Sequence, residues 1–429
     1  MLRASWPRQV ILISAFVVLA VVGGRSIEVS PSKTAGAQRL TSSPKLLVGA
    51  YYSMWYPQNL AQGYLREHLI PSQPIASSQI NSDSPLVAEQ DITNAKRAKI
   101  NFFALDWWPY YLGYSNERVV GNRHAVAEFL KAPNISQFKF CIFYETWNLG
   151  FDAGREATPV TRATTVHFDK DMRYLALHYL HNPSYLKIHN RPVIILYLTR
   201  TLTGNVAKFI SSARSTLERM GVDPFFIGDE IFWRTTPENP SNNSGLFTQN
   251  PQSSRLRLFD AITDYSLYYG GSSTRYGPPN DFLGYPGKTN LVADEVKLYA
   301  KYQKATNNAV PIVPDISPGF NDRGVRLVDN HPAQPRQWLS GLSDSSTLDY
   351  MFREVGVPSI DNKLPMIMVT TWNEWNEDTG VEPIGGSPTS RDNSPSHDQY
   401  TQGYVYGGEG NADLATLSKD IQYLDRIKP

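Results

Sequence analysis

The chain has 429 residues with 41 basic and 40 acidic side chains, so no excess of charge marks a nucleic-acid partner or an electrostatic membrane-surface binder. Aromatic residues make up 12% of it, including 24 Tyr and 9 Trp, and these offer an apolar face with a hydrogen-bond donor, as a carbohydrate groove requires. A single cysteine, Cys141, rules out an intramolecular disulfide and any cysteine-cluster metal site.

Arg3 and Arg8 precede an uncharged stretch from Val10 to Gly24, followed by a polar Ser/Pro/Thr segment to Pro44. This is the plan of a secretory signal peptide or signal-anchor with a polar linker. Residues 10–24 are short for a span of ~20 residues. Cleavage after Ala37 and an uncleaved membrane tether are both compatible with the pattern. The expected location is outside the cytoplasm: extracellular, periplasmic or anchored to the outer face of the cytoplasmic membrane.

From residue 45 to 429 a single domain is expected, because eight short apolar, β-branched runs alternate with helix-period segments. The expected strands are Leu47 to Tyr52, Phe102 to Trp107, Phe138 to Tyr144, Val193 to Leu198, Phe225 to Asp229, Ala261 to Tyr268, Pro311 to Ile316 and Pro365 to Thr370. The expected helices are Pro85 to Lys99, His124 to Leu130, Asp169 to Ile188, Val206 to Met220, Ala293 to Thr306, Pro335 to Val355 and Asp413 to Ile427. Eight parallel strands close a (β/α)₈ TIM barrel, and no Gly-rich phosphate turn follows the first strand to favour an open doubly wound sheet. Thr235 to Gln252, Ser272 to Asn290 and Gly385 to Gly410 read as long loops at the rim. Cys141 sits in an apolar strand pattern and is expected to be a buried, inert thiol.

Barrel active sites form at the carboxyl ends of the strands, and polar and aromatic residues collect there. The densest cluster is Thr371-Trp-Asn-Glu-Trp-Asn-Glu377 with Val381-Glu-Pro383. Cleaving a glycosidic bond needs one carboxyl to protonate the leaving oxygen and another to assist at the anomeric carbon. Glu374 and Glu377, three residues apart, are the catalytic candidates, provided a helical turn lets both face one pocket. The substrate-binding candidates are Tyr52, Trp55, Asp106, Trp107, Glu145, Tyr197, Trp372, Asn373 and Glu382. His178 and His181 lack an adjacent carboxylate, so no metal and no cofactor is expected.

These residues resemble glycoside hydrolase family 99, the endo-α-mannosidases and endo-α-mannanases, and the related domains of bacterial polysaccharide gene clusters. The likeness runs from about residue 47 to 384. It rests on Trp372-Asn-Glu-Trp-Asn-Glu377 with Val381-Glu-Pro383, Tyr51-Tyr-Ser-Met-Trp-Tyr56, Ala104-Leu-Asp-Trp-Trp108, Tyr144-Glu145, Asn190-Arg-Pro-Val193 and Val313-Pro-Asp-Ile-Ser-Pro-Gly-Phe320. The resemblance implies a barrel that cleaves internal α-mannosidic bonds with retention and without a metal. By motif, Glu374 would be the base acting on the sugar's own 2-hydroxyl, Glu377 the acid/base, and Glu145 a pocket carboxylate. The chain departs from the family at Ser53-Met54, where a single Pro is usual, and at Asn376 and Asp378, which replace the usual His and Gly. A monomer acting on a polysaccharide or glycan is expected. The alternatives on the same barrel are a non-catalytic glycan-binding or polysaccharide-assembly protein and a transglycosylase of envelope synthesis.

Overall fold

The computed structural model describes residues 45–56, 73–74, 81–109, 116–152, 157–232, 251–265, 288–320, 336–338, 342–385, 390–391, 405–406 and 410–427. The chain divides into Met1–Ser42 and Ser43–Pro429, and every described residue belongs to the second unit. The expected signal or anchor segment and most of the three long loops lie outside the described residues. Among the described residues no helix is long and apolar enough to cross a membrane.

Strands and helices alternate along the chain: β1 (Leu47–Tyr52), α1 (Pro85–Arg97), β2 (Phe102–Trp107), α2 (Asn116–Phe129), β3 (Lys139–Glu145), α3 (Arg162–His178), β4 (Arg191–Tyr197) and α4 (Val206–Glu218). They continue as β5 (Phe225–Asp229), β6 (Ala261–Thr263), α5 (Lys288–Ala305), β7 (Ile312–Val313), β8 (Asp315–Ile316), α6 (Ser346–Met351), β9 (Met366–Val369) and α7 (Ala412–Ile427). Each strand from β1 to β6 pairs in parallel with the next, and β1 and β8 both pair with β9.

The expected seventh strand is split at Pro314, which has no N–H to give to a ladder. Its first half bonds to β6 and its second to β9, while the Pro314 carbonyl still accepts from the Met368 N–H at 2.9 Å. This broken stretch closes the parallel ring. The expected (β/α)₈ barrel is the observed architecture.

Strands covered on both faces read as unbroken apolar runs, and all six residues of β2 are buried. Successive side chains point to opposite faces, which separates an inner from an outer layer. Inside the ring, Tyr51, Phe143, Tyr197 and Tyr265 meet from four different strands or strand ends, with ring centroids 4.6 Å apart for Tyr51 and Phe143 and 5.0 Å for Tyr197 and Tyr265. Outside it, Trp372, Phe103 and Phe138 pack together beneath the helices. Gly49 leaves room for the Phe102 ring, since a Cβ there would come within 2.2 Å of it.

The helices carry ordinary start signals. Ser84 caps α1 ahead of Pro85, Thr161 and Thr164 form a capping box on α3, and the Asn205 side chain caps α4. Two expected helices are corrected. The segment Asp169 to Ile188 is helical only to His178, because Lys187–Ile188 turns back onto β4 through His189 and Asn190, both at positive φ, as a tight hairpin turn demands. The segment Pro335 to Val355 becomes α6 only at Ser346. Phe352–Gly356 then forms a π turn, and Arg336 is drawn away into the contacts given below. The sixth strand ends at Thr263, whose carbonyl accepts the N–H groups of Glu230 and Ile231, and α5 begins at Lys288, inside the expected loop. Cys141 is buried and unpaired, as expected.

Candidate active site

Immediately after β9 the chain folds back on itself. The Thr371 N–H donates to the Thr379 carbonyl at 2.8 Å, the Val381 N–H to Thr371 at 3.0 Å, and the Glu382 N–H to Trp372 at 2.8 Å. The peptide between Thr370 and Thr371 is cis. Within this loop Trp375–Glu377 is a single 3₁₀ turn, and the Glu374 N–H donates to Thr371 Oγ1 at 2.8 Å. Glu374 directly precedes this turn and Glu377 ends it.

The loop is fastened to the one after β1. The Asn373 side chain forms a two-point clasp on Ser53, accepting from its N–H at 2.7 Å and donating to its carbonyl at 3.1 Å. Tyr56 donates its hydroxyl to the Asn373 carbonyl at 2.7 Å and stacks on Trp375 at 4.8 Å. Ser53 Oγ lies 3.5 Å from Glu374 Oε2.

Glu374 is buried and Glu377 is half-buried. The charge of Glu374 is felt at Asp106, and that of Glu377 at Glu145 and Tyr197. These five residues lie at or just past the carboxyl ends of β2, β3, β4 and β9. Burial, and then the neighbouring Glu145, pushes the Asp106 carboxyl well above its usual range. Burial likewise pushes Glu145 up to about 8, opposed by its hydrogen bond with Asp106 and reinforced by the charges of Asp229 and Glu377. Burial thus favours the protonated form of both Asp106 and Glu145, the condition under which a carboxyl can donate a hydrogen bond.

Asp229 sits fully buried at the end of β5, paired with Arg200 and accepting from the N–H groups of Leu198 at 2.8 Å and Tyr265 at 3.2 Å. Burial still raises it to about 6. At the rim, half-buried Trp55 and Trp108 have ring centroids 5.8 Å apart, and half-buried Trp147 packs on Phe151 at 4.9 Å.

Other sequence candidates lie elsewhere. Trp107 is wholly buried behind the barrel wall, stacked on Tyr144 and capped by the Arg123 guanidinium 4.4 Å from its ring. The adjacent Trp108 is the one that stays partly open. Tyr52 points outward and donates its hydroxyl to Asp91 Oδ2 of α1 at 2.7 Å. Trp372 is fully buried against Phe103. Glu382 is buried beside Asp91; burial, followed by the Asp91 charge, raises its pKa well above normal. Strand alternation sends Tyr52 and Trp107 behind the wall, Trp372 and Glu382 are buried in the loop after β9, and Asn373 spends its amide on Ser53.

Several groups had no clear sequence signal. Arg336, from the long connection after β8, is buried and ion-paired to Asp378 and Asp413. Asp378 occupies the left-handed region at φ 52°, where Gly is most at ease and Asp is tolerated. Asp91 gave no warning because it lies in an ordinary helix.

Ring, loops and acidic mouth define a (β/α)₈ barrel with a carboxyl-lined cleft at the strands' carboxyl ends. A family model described as Glycosyltransferase WbsX matches residues 46–387, and the chain belongs to that family. Among solved structures, a protein described as glycoside hydrolase-like superposes with a TM-score of 0.62 at 15% identity, covering 90% of this chain and 97% of its own. A GH99 endo-alpha-mannosidase from Bacteroides thetaiotaomicron, in complex with BIS-TRIS-propane, superposes with a TM-score of 0.55 at 15% identity, covering 89% and 97% respectively. No curated protein matches the chain. The family-99 likeness of the motifs is thus matched by the fold.

Proposed function

We propose that the protein is a retaining glycoside hydrolase that cleaves internal α-linked bonds of a glycan or polysaccharide, with Glu374 and Glu377 as its catalytic pair. The observation that supports this reading is that both glutamates follow β9 at the carboxyl end of the barrel, where Asp106, Glu145 and Tyr197 stand at the ends of β2, β3 and β4. In the first step Glu374 takes the proton of the sugar's 2-hydroxyl, O2 attacks the anomeric carbon, and Glu377 protonates the departing oxygen. In the second, Glu377 takes a proton from water, whose oxygen attacks the anomeric carbon, and Glu374 returns its proton to O2. Two inversions give net retention.

Asp106 and Glu145, with a proton held between them, suit hydrogen bonding to sugar hydroxyls, since the pair can donate as well as accept. The rim tryptophans Trp55 and Trp108 suit the apolar faces of pyranose rings.

Replacing Glu377 by Gln should lower turnover about 10²–10⁴-fold while leaving glycan binding intact. Unchanged turnover would reject the assignment. A second reading, transfer of the sugar to an acceptor hydroxyl in place of water, is favoured by the description of the family to which the chain belongs. It uses the same two carboxyls. Analysis of products formed with added acceptor sugars separates the two, because transfer yields a lengthened acceptor and hydrolysis a free reducing end.

A further inference from the structure

Beside the residue that follows Glu377 lies a buried cation. Arg336 is 5% exposed. Its Nε donates to Asp378 Oδ1 at 3.2 Å, its Nη2 to the carbonyls of Asp378 at 3.2 Å and Gly380 at 2.7 Å, and its Nη1 to Asp413 Oδ2 at 2.7 Å. One planar guanidinium thus joins three separate parts of the chain. Asp378 directly follows Glu377, and Gly380 lies in the returning arm of the same loop. Asp413 belongs to the first turn of α7, beyond residue 387, where the family match ends.

Each contact uses a property that only this residue type has. A guanidinium presents donors in a fixed fork, so it can hold two carbonyls and two carboxylates at set angles, whereas an ammonium is a point charge. The carbonyls it donates to belong to a segment whose backbone enters the left-handed region at Asp378. The Asp378 side chain, where Gly would supply no anchor, is turned onto the arginine.

Accepting the hydrolase reading above, we propose that Arg336 is a positioning residue: with Asp413 of α7 it fixes the backbone after Glu377 and so holds that carboxyl in the cleft. The carboxyl-terminal helix is then part of the catalytic apparatus although it contributes no group to the cleft.

The test uses the full chain with Arg336→Lys and, separately, Asp413→Asn, a near-isosteric change that leaves the barrel untouched. Two quantities are measured: kcat and KM on a glycan that the unaltered protein cleaves, and amide hydrogen exchange across residues 371–382. The expected result is a kcat lowered by about 10- to 100-fold, as misplacement of a reacting group by about 1 Å allows, with KM changed less than about twofold. Exchange should quicken in 375–382 while the amides of β1 to β5 stay protected. An unchanged kcat in a folded variant, or exchange that quickens equally throughout the barrel, would overturn the proposal. Should Arg336→Lys fail to fold, Asp413→Asn decides by the same two quantities. If the unaltered protein cleaves no glycan the hydrolase reading fails, and the exchange pattern alone still decides whether this contact orders the glutamate turn.

Discussion

At the residue scale, the most consequential buried pair outside the cleft is Asp91 with Glu382. Burial raises Asp91 to about 7 and Glu382 well above its usual range, and each is hydrogen-bonded to the other. Both folded-state values lie above those of the unfolded chain, so the folded protein holds protons that the unfolded one releases. The stability so gained is complete below about pH 4 and is lost as pH rises through about 7. Thermal melting should therefore shift downward between pH 5 and pH 8, and Glu382→Gln should flatten part of that slope. Asp106 and Glu145 act in the same direction and would supply the remainder. A melting temperature that rises over this interval would contradict these protonation states. Asn373 gives a second prediction. Its replacement by Ala strands the Ser53 N–H and carbonyl in a buried setting, at a cost of about 1–3 kcal/mol for an unsatisfied group, readable in denaturant unfolding. A variant as stable as the parent would show that the clasp on Ser53 is dispensable.

At the scale of elements, each carboxyl reaches the mouth because a strand end delivers it, and alternation decides which residue of a pair arrives. Asp106 faces the cleft while Trp107 faces the helices; Glu145 faces in while Tyr144 donates outward to Asp171 at 2.8 Å. Strand position was legible because unbroken apolar runs such as Phe102 to Leu105 have few other uses. Inward and outward faces were not, because a strand buried on both sides loses the polar alternation that would reveal them. Hence Tyr52 and Trp107 could not be told from cleft residues by sequence, and Trp108 could not be preferred to its neighbour. The same close packing explains Gly49. Substituting Ala would drive a methyl group into the Phe102 ring, and the resulting strain should cost about 1–3 kcal/mol. A Gly49→Ala protein of undiminished stability would show that Phe102 has room to move.

At the scale of the whole molecule, the barrel was legible because its signal is repeated eight times, so an error in one element does not change the count. Helix ends were less so, since the hairpin at His189 and Asn190 and the late start of α6 at Ser346 depend on local turns. Least legible were contacts between distant segments. Nothing near Arg336 in sequence suggests that it meets Asp378 and Asp413, 42 and 77 residues away, because such partners are fixed only once the ring has closed. The family match over 46–387 covers the barrel strands and the glutamate loop, while α7 packs its Leu414, Leu417, Ile421 and Leu424 into the core from outside that span.

The central claim is that Glu374 and Glu377 at the mouth of this barrel break an α-linkage with retained configuration. The most direct measurement is a proton NMR time course of the newly formed reducing end during digestion of an α-linked mannan oligosaccharide. The α-anomer should appear first, with the β-anomer growing in later by mutarotation. A β-anomer formed first would contradict the account.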